Sequence, residues 1–324
     1  MNVSGNNLRV RVTVKREGMS RFISKVDLAP FVLDEVACIQ FLIDEGFLRT
    51  NMRCPMCYAH LQPKQHNNNR YPFFQCKSQN HRFTESVCTG TWFQHTKLPF
   101  SQILLLIHCF TMDLSYKQTT IDASVGDSLI ANNTISDWFN NCRELCMMSM
   151  ETKYKARGKL GGSGHIVEIE ECQIGERRIR HGNFIEENWI LGMIDISTNE
   201  VRIAVCPGNN RDASTLYNLI SKHVEETSTI HTNAWSGYKG LMNGGFADHL
   251  AAKGSINLDK LNKNGQQRKT FRWRALHKRL SRGGIRKDKL VSHIYEYLWR
   301  EDCANRQADP FQEFMENIRE LFPC

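Results

Sequence analysis

Long hydrophobic runs are missing from this chain. The longest, Ile103–Cys109, is interrupted by His108 and falls far short of the ~20 apolar residues a helix needs to span a bilayer. No membrane segment is expected. The opening residues, MNVSGNNLRVRVTVKREGM, lack the apolar core of a secretory signal, which gives the expectation of a protein kept inside the cell. A phosphate loop is missing as well. KARGKLGGSG at 155–164 has the glycines, but no strand pattern precedes them and no Lys-Ser or Lys-Thr follows. It reads as a basic, Gly-rich linker and marks the expected domain boundary. Composition is otherwise ordinary, with 41% hydrophobic and 23% charged residues among 324, which suits a globular chain of two or three domains.

Cysteine, by contrast, is plentiful. Twelve cysteines without a secretory signal point to reduced thiols and metal ligation rather than disulfides. Cys54-Pro-Met-Cys57 is followed after eighteen residues by Cys76 and then by His81 in CKSQNH. Two such pairs across a polar hairpin offer the tetrahedral ligand set that structural Zn²⁺ prefers. A zinc ribbon is therefore expected over residues 49–95, with Cys54, Cys57 and Cys76 as ligands and His81 as the fourth, against competition from Cys88, His60 and His66. The ion would substitute for a core too small to fold alone. Redox use of Cys54 and Cys57 is the weaker reading, because no βα context surrounds them. Cys172 and Cys206, beside His181 or His231, are weak candidate nucleophiles, since buried strand cysteines are ordinarily inert packing residues.

Residues 1–30 carry no periodicity and read as a leader. Val32, Val36, Ile39, Ile43 and Phe47 recur at helical spacing, which predicts one helix over 31–48 and a first region of 1–48. Residues 96–154 read as helical: LPFSQILLLIHCFTM, LSYKQTTIDA, and NNTISDWFNNCRELC with Asn132 or Asn133 as N-cap and Ile135, Phe139, Cys142, Leu145 and Cys146 on one face. The last region, 301–324, contains DPFQEFMENIRELF, an amphipathic helix suited to capping the fold or meeting a partner.

Between these lies an alternating, β-branched segment, HIVEIEECQI, followed by NWILGMIDIS and VRIAVC with Asn199-Glu200 at the turn, then the helical DASTLYNLISKHVEE, then STIHT running into Asn233. A polar loop over roughly 253–267 leads to a helix in TFRWRALHKRL. The β-β-β-α-β order predicts an α/β class with an RNase H-like domain over 165–300, a mixed five-stranded sheet with helices, preceded by the ribbon and the helical region. Net charge is +8, and Arg268, Lys269, Arg272, Arg274, Lys278, Arg279, Arg282, Arg286, Lys287 and Lys289 face only Asp288 in their window. Such a field suits a polyanionic partner, with a solvated helix face or a nuclear-import signal as the plainer alternatives.

VEIEECQIG (167–175), the Trp189-Ile190-Leu191-Gly192 strand, TLYNLISKHV, HTNAWSGYKGL (231–241), INLD (256–259) and RWRALHKRL (272–280) together resemble a Merlin-superfamily DNA transposase, and bacterial insertion-sequence transposases are similar. The resemblance runs from about Phe41 to Arg300. It implies a DDE-type fold in which acids on the first strand, the fourth strand and a late helix hold two divalent ions about 4 Å apart. The matching positions here are Glu170, Asn233 and Thr270. All three depart from the family's aspartates and acid, and one carboxylate does not hold a pair of Mg²⁺ ions. The family's second knuckle also has a ligand where His81 stands. Its helix-turn-helix would put Asn133, Ser136 and Asn140 in the major groove, although the turn SVGDSLIA is several residues longer than usual.

The expectation is a domesticated, transposase-derived protein that binds double-stranded DNA in the nucleus through these three residues and through Arg268, Lys269, Arg272, Arg274, Lys278, Arg279 and Arg282, without cutting it, in a regulatory or chromatin role. Zn²⁺ is the structural cofactor, and Mg²⁺ enters only if activity survives. A homo-oligomer and chromatin proteins are further candidate partners. Two alternatives stand beside it: an active metal-dependent endonuclease using Glu170 with Glu168, Asp195, Asp248 or Asp259, and an adaptor that has lost DNA. The plain reading of Glu168, Glu170 and Glu171 is solvated or salt-bridged strand residues.

Overall fold

The computed structural model describes residues 23–65, 71–78, 80–124, 129–174, 179–180, 183–184, 188–238, 240–241, 245–252, 276, 279–280, 285 and 287–324. These form two compact units, residues 1–128 with 303–324, and residues 129–302. Eight α-helices and a five-stranded mixed sheet are found among the described residues, and none of those helices is long and apolar enough to cross a membrane.

The first unit opens with α1 (Lys25–Val32) and α2 (Glu35–Asp44), where one helix over 31–48 and a leader through residue 30 were expected. Two caps explain the break. Ser24 and Asp27 form a capping box that starts a helix inside the expected leader, and the Asp34 carboxylate accepts from Val36 N at 2.9 Å and from Ala37 N, starting a second. The ribbon follows: β1 (Met52–Arg53) pairs with β2 (His60–Leu61), and β3 (Pro63–Lys64), β4 (Phe73–Ser78) and β5 (His81–Ser86) make a three-stranded antiparallel sheet. Next comes α3 (Phe100–Thr111), in which every residue except Gln102 is buried, the pattern of a helix enclosed on all sides. Pro99 offers it no side-chain cap, so Glu35 of α2 accepts from Phe100 N at 2.7 Å and Ser101 N at 3.0 Å. After it lies α4 (Tyr116–Asp122).

The second unit begins with α5 (Asn132–Arg157), a single 26-residue helix capped by Ala131 rather than by either asparagine. It runs well past the expected end near Cys146 and takes up the start of the predicted linker. The rest of that linker is packed. Leu160 is buried and bridges Val224, and Gly161, at φ +87°, leaves a Cβ only 2.1 Å from Ser228 Oγ, so only glycine fits there. The sheet order is β10 (Val201–Val205), β9 (Asn188–Asp195), β6 (Ile166–Ile174), β11 (Thr229–Asn233), β12 (Asp248–Ala252). β9 is antiparallel to both neighbours, while β11 is parallel to β6 and to β12. The crossover from β10 to β11 passes through α6 (Ala213–His223), whose Leu216 and Ile220 join Val167, Ile169, Leu191, Met193 and Ile230 in one core. A short hairpin, β7 (Ile179–Arg180) with β8 (Asn183–Phe184), falls between β6 and β9.

Helix α7 (Lys287–Asn305) carries Glu296, whose side chain is 4% exposed and receives Arg143 of α5 at 2.9 Å, Arg300 at 2.9 Å and Arg279. Farther along, Asp302 accepts from Lys153 and Arg157 of α5, each at 2.9 Å. The chain then re-enters the first unit as α8 (Pro310–Leu321). There Phe314 packs edge-on to Trp92 at 5.7 Å and Phe110 at 5.9 Å, and the Asp309 cap accepts from Ile23 N at 2.6 Å. These contacts are those of a helix that caps the fold.

Burial alone raises the Glu296 carboxyl, but the Arg300, Arg279 and Arg143 guanidiniums outweigh it and hold the group far below the usual carboxylate range. A depressed folded-state pKa contributes stability that is full above the unfolded value, about 4.3, and is lost as pH falls below it. Glu296→Ala leaves three cations facing one another and should destabilise the second unit by about 3–5 kcal/mol near neutral pH. Urea denaturation from pH 7 down to pH 2 should find the gap between wild type and variant closing as pH drops.

Candidate functional site

The strongest candidate is a metal centre in the ribbon. The β1–β2 turn supplies Cys54 and Cys57, the end of β4 supplies Cys76, and His81 starts β5. Their ligand atoms all lie within 4.8 Å of one another. Cys54 Sγ and Cys76 Sγ approach His81 Nε2 at 3.2 and 3.3 Å, and Cys57 Sγ lies 3.6 Å from Cys76 Sγ. Zn–S and Zn–N bonds of ~2.3 and ~2.0 Å at tetrahedral angles set such atoms roughly 3.5–3.8 Å apart, so the cluster can hold a zinc ion. The competition for the fourth place goes to His81 among the described residues. Cys88 is buried two residues beyond β5 with its thiol raised by burial, and neither it nor exposed His60 belongs to the cluster. His66 lies outside the described residues.

Burial works to raise the Cys54 thiol, but hydrogen bonds from the Cys57 and Met56 backbone N–H groups and from His81 outweigh it and bring it down to about 6. Cys76 is pushed up to about 11 by burial and by the two neighbouring sulfurs. Of these two, Cys54 is the readier thiolate, and a cation has to displace the proton of Cys76.

The acid positions of the sheet are arranged differently from expectation. Side chains alternate along a strand, so Glu168 and Glu170 share one face of β6 while Glu171 lies with Val167 and Ile169 on the other. The Asn233 amide, at the end of β11, is 3.4 Å from both oxygens of Glu171, so the carboxylate beside Asn233 is Glu171. That carboxylate, 5% exposed, also accepts from the Tyr238 hydroxyl and meets Arg211 Nη1 at 3.5 Å. The Arg211 guanidinium is held against the Trp189 ring at 3.8 Å and the Trp235 ring at 4.5 Å, a cation–π arrangement that fixes the charge in place. Burial, then Glu171, pushes the Tyr238 phenol well above its usual range, so it remains a donor. Glu168 is not solvated: it is 5% exposed, paired with Ile194 and His231.

The substitute acids are elsewhere. Asp195 pairs with Val167 near the start of β6 and is engaged by His165 Nδ1 at 2.8 Å and by Ser197 N at 2.8 Å. Asp248 is opposite Thr229 at the start of β11, the far end of that strand from Asn233. Asp259 and Thr270 lie outside the described residues, as do Arg268, Lys269, Arg272, Arg274, Lys278 and Arg282. Arg279 is described and is 17% exposed, with its guanidinium on Glu296, which takes it from the set of groups free to meet a phosphate. On α5, Asn133 is exposed, while Ser136 and Asn140 are half-buried and Asn140 Oδ1 accepts from Arg143 at 3.2 Å. Helix α4 falls in the first unit and α5 in the second. Burial raises the Cys172 and Cys206 thiols to about 11, so neither is a ready nucleophile.

Sequence reasoning passed over Arg211 and read Glu171 only as a solvated or salt-bridged strand residue; it is salt-bridged, to Arg211. The signal for Glu171 was its phase with Val167 and Ile169; Arg211 comes from a turn whose position no spacing specifies.

Purified full-length protein should carry one zinc per chain by mass spectrometry, and Cys76→Ser should lose it and lower the Tm of the first unit. Because Cys76 must give up its proton on binding, apparent zinc affinity should fall at least about tenfold per pH unit from pH 8 to 6, and more steeply below 6 where Cys54 also protonates. A competition titration with a chromophoric chelator measures this. Compared with known proteins, the chain matches no family model and no curated protein.

Proposed function

We propose that this is a transposase-derived DNA-binding protein, on an RNase H-like sheet, that no longer cleaves strands and acts in the nucleus in a regulatory or chromatin role. Support for the fold is the strand order: an antiparallel meander of three strands, then a helical crossover to a parallel fourth and fifth. In that architecture two divalent ions sit between carboxylates on the first and fourth strands, clamping the attacking and leaving oxygens.

One observation carries the loss of cleavage. Where the fourth strand would bring a carboxylate, Asn233 brings an amide that donates to Glu171, and that acid is already met by Arg211, Asn233 and Tyr238. A metal would have to expel a guanidinium packed between two indoles. DNA binding draws on the net charge of +8, on the ribbon and on the basic segment from Arg268 to Lys289 apart from the Glu296-bound Arg279, with double-stranded DNA as the partner.

A mobility-shift titration with random duplex DNA, run with and without Mg²⁺ or Mn²⁺, tests both halves. Binding should weaken by roughly 10³-fold between 50 and 200 mM salt if about six phosphates are met, and no nicking should appear with either metal. Metal-dependent nicking that Glu170→Ala abolishes would replace this reading with that of an active endonuclease. Salt-independent or absent binding would leave an adaptor.

A further inference from the structure

The ribbon bears two local costs, and both adjoin the metal ligands. Tyr58, directly after Cys57, has φ +57°, in the left-handed region that a bulky residue rarely adopts. The turn imposes it: Tyr58 N donates to Cys54 O at 2.9 Å and Cys54 N to Ala59 O at 2.9 Å. Glycine would take that conformation without strain. The tyrosine ring offsets nothing by packing, since Tyr58 is 70% exposed and its neighbour Met56 is 63% exposed.

The second cost is electrostatic. Lys77, after Cys76, is directly opposite Arg82, after His81, in the β4–β5 ladder, and both are exposed. Like charges facing across a ladder destabilise it. Arg53, before Cys54, and Lys64 are exposed as well. From Gly46 to Thr84 the sequence has six cations, Arg49, Arg53, Lys64, Arg70, Lys77 and Arg82, and no Asp or Glu. Arg49 is paired with Glu85, and a strained exposed ring beside the exposed Arg53, Lys77 and Arg82 fits a partner with a polyanionic backbone and flat apolar faces.

We infer that the knuckle side of the ribbon binds DNA at an unpaired base, Tyr58 stacking on the base with Met56 beside it while Arg53, Lys77 and Arg82 meet the flanking phosphates. This rests on the DNA-binding reading above and adds a preference to it: single strands, or duplex opened by a mismatch or a frayed end. An aromatic face takes any base, so the preference is for structure and not for sequence.

The test uses full-length zinc-loaded protein and fluorescence anisotropy with a fluorescein-labelled 20-nucleotide single strand, its duplex, and RNA of the same sequence. Tyr58→Gly suits the left-handed turn and should keep its zinc and a Tm no lower than wild type. It should weaken single-strand binding by roughly tenfold, the range of one stacked base, and change duplex binding by less than about twofold, while Tyr58→Phe binds as wild type. Unchanged single-strand affinity in Tyr58→Gly overturns the inference and leaves the DNA-binding reading standing; so does an equal loss on both DNA probes. Binding confined to RNA overturns the assignment to DNA. No wild-type binding to any probe overturns both this inference and the reading beneath it.

Discussion

A carboxylate withdrawn from water must have its charge met, and at three places in the second unit arginine and lysine side chains meet it. Glu296 is surrounded by Arg143, Arg279 and Arg300, Asp302 takes Lys153 and Arg157, and Glu171 takes Arg211. These pairs differ in consequence. The first two tie α5 to α7. The third lies at the end of the central strands. Permanent cations need no ion from solution, and a carboxylate held this way is a structural group rather than a ligand waiting for metal.

The same logic separates the two candidate centres. In the ribbon the converging groups are three sulfurs and an imidazole with no fixed cation among them, and one sulfur is already biased toward thiolate. At the sheet the converging groups are one carboxylate, an amide, a phenol and a guanidinium. The first set has no fixed cation within it; the second has one in Arg211.

Much of this was legible in the residues. The C-x2-C pair with Cys76 and His81 placed the ribbon, because ligand chemistry depends on spacing that a turn enforces locally. The strands β6, β9, β10 and β11 and helix α6 could be read from alternation and helical spacing. Strand β12 was not anticipated: at the sheet edge, with Leu250 51% exposed, DHLAA has no alternation to follow. The break at Leu33 was missed because apolar spacing carries across it while the decisive group is the Asp34 carboxylate. That Glu171 lies beside Asn233 was not legible, because a motif aligns positions and ignores which face each one occupies. Arg300 is four residues from Glu296 on one helix and could have been read as a pair, but Arg211, Arg143 and Arg279 reach their acids through tertiary packing, which one-dimensional patterns do not encode.

The return of α8 to the first unit has a bearing on how the molecule is made. Ile23 and Asp309 are joined by a hydrogen bond across 286 positions, and Phe314 fills the space between Trp92 and Phe110. Synthesis runs from the N-terminus at about 5–20 residues per second, so the α3 aromatics emerge long before the helix that covers them. Until then a nascent chain exposes that surface, and the unit that begins first is completed last, with the slow closure that distant pairings bring.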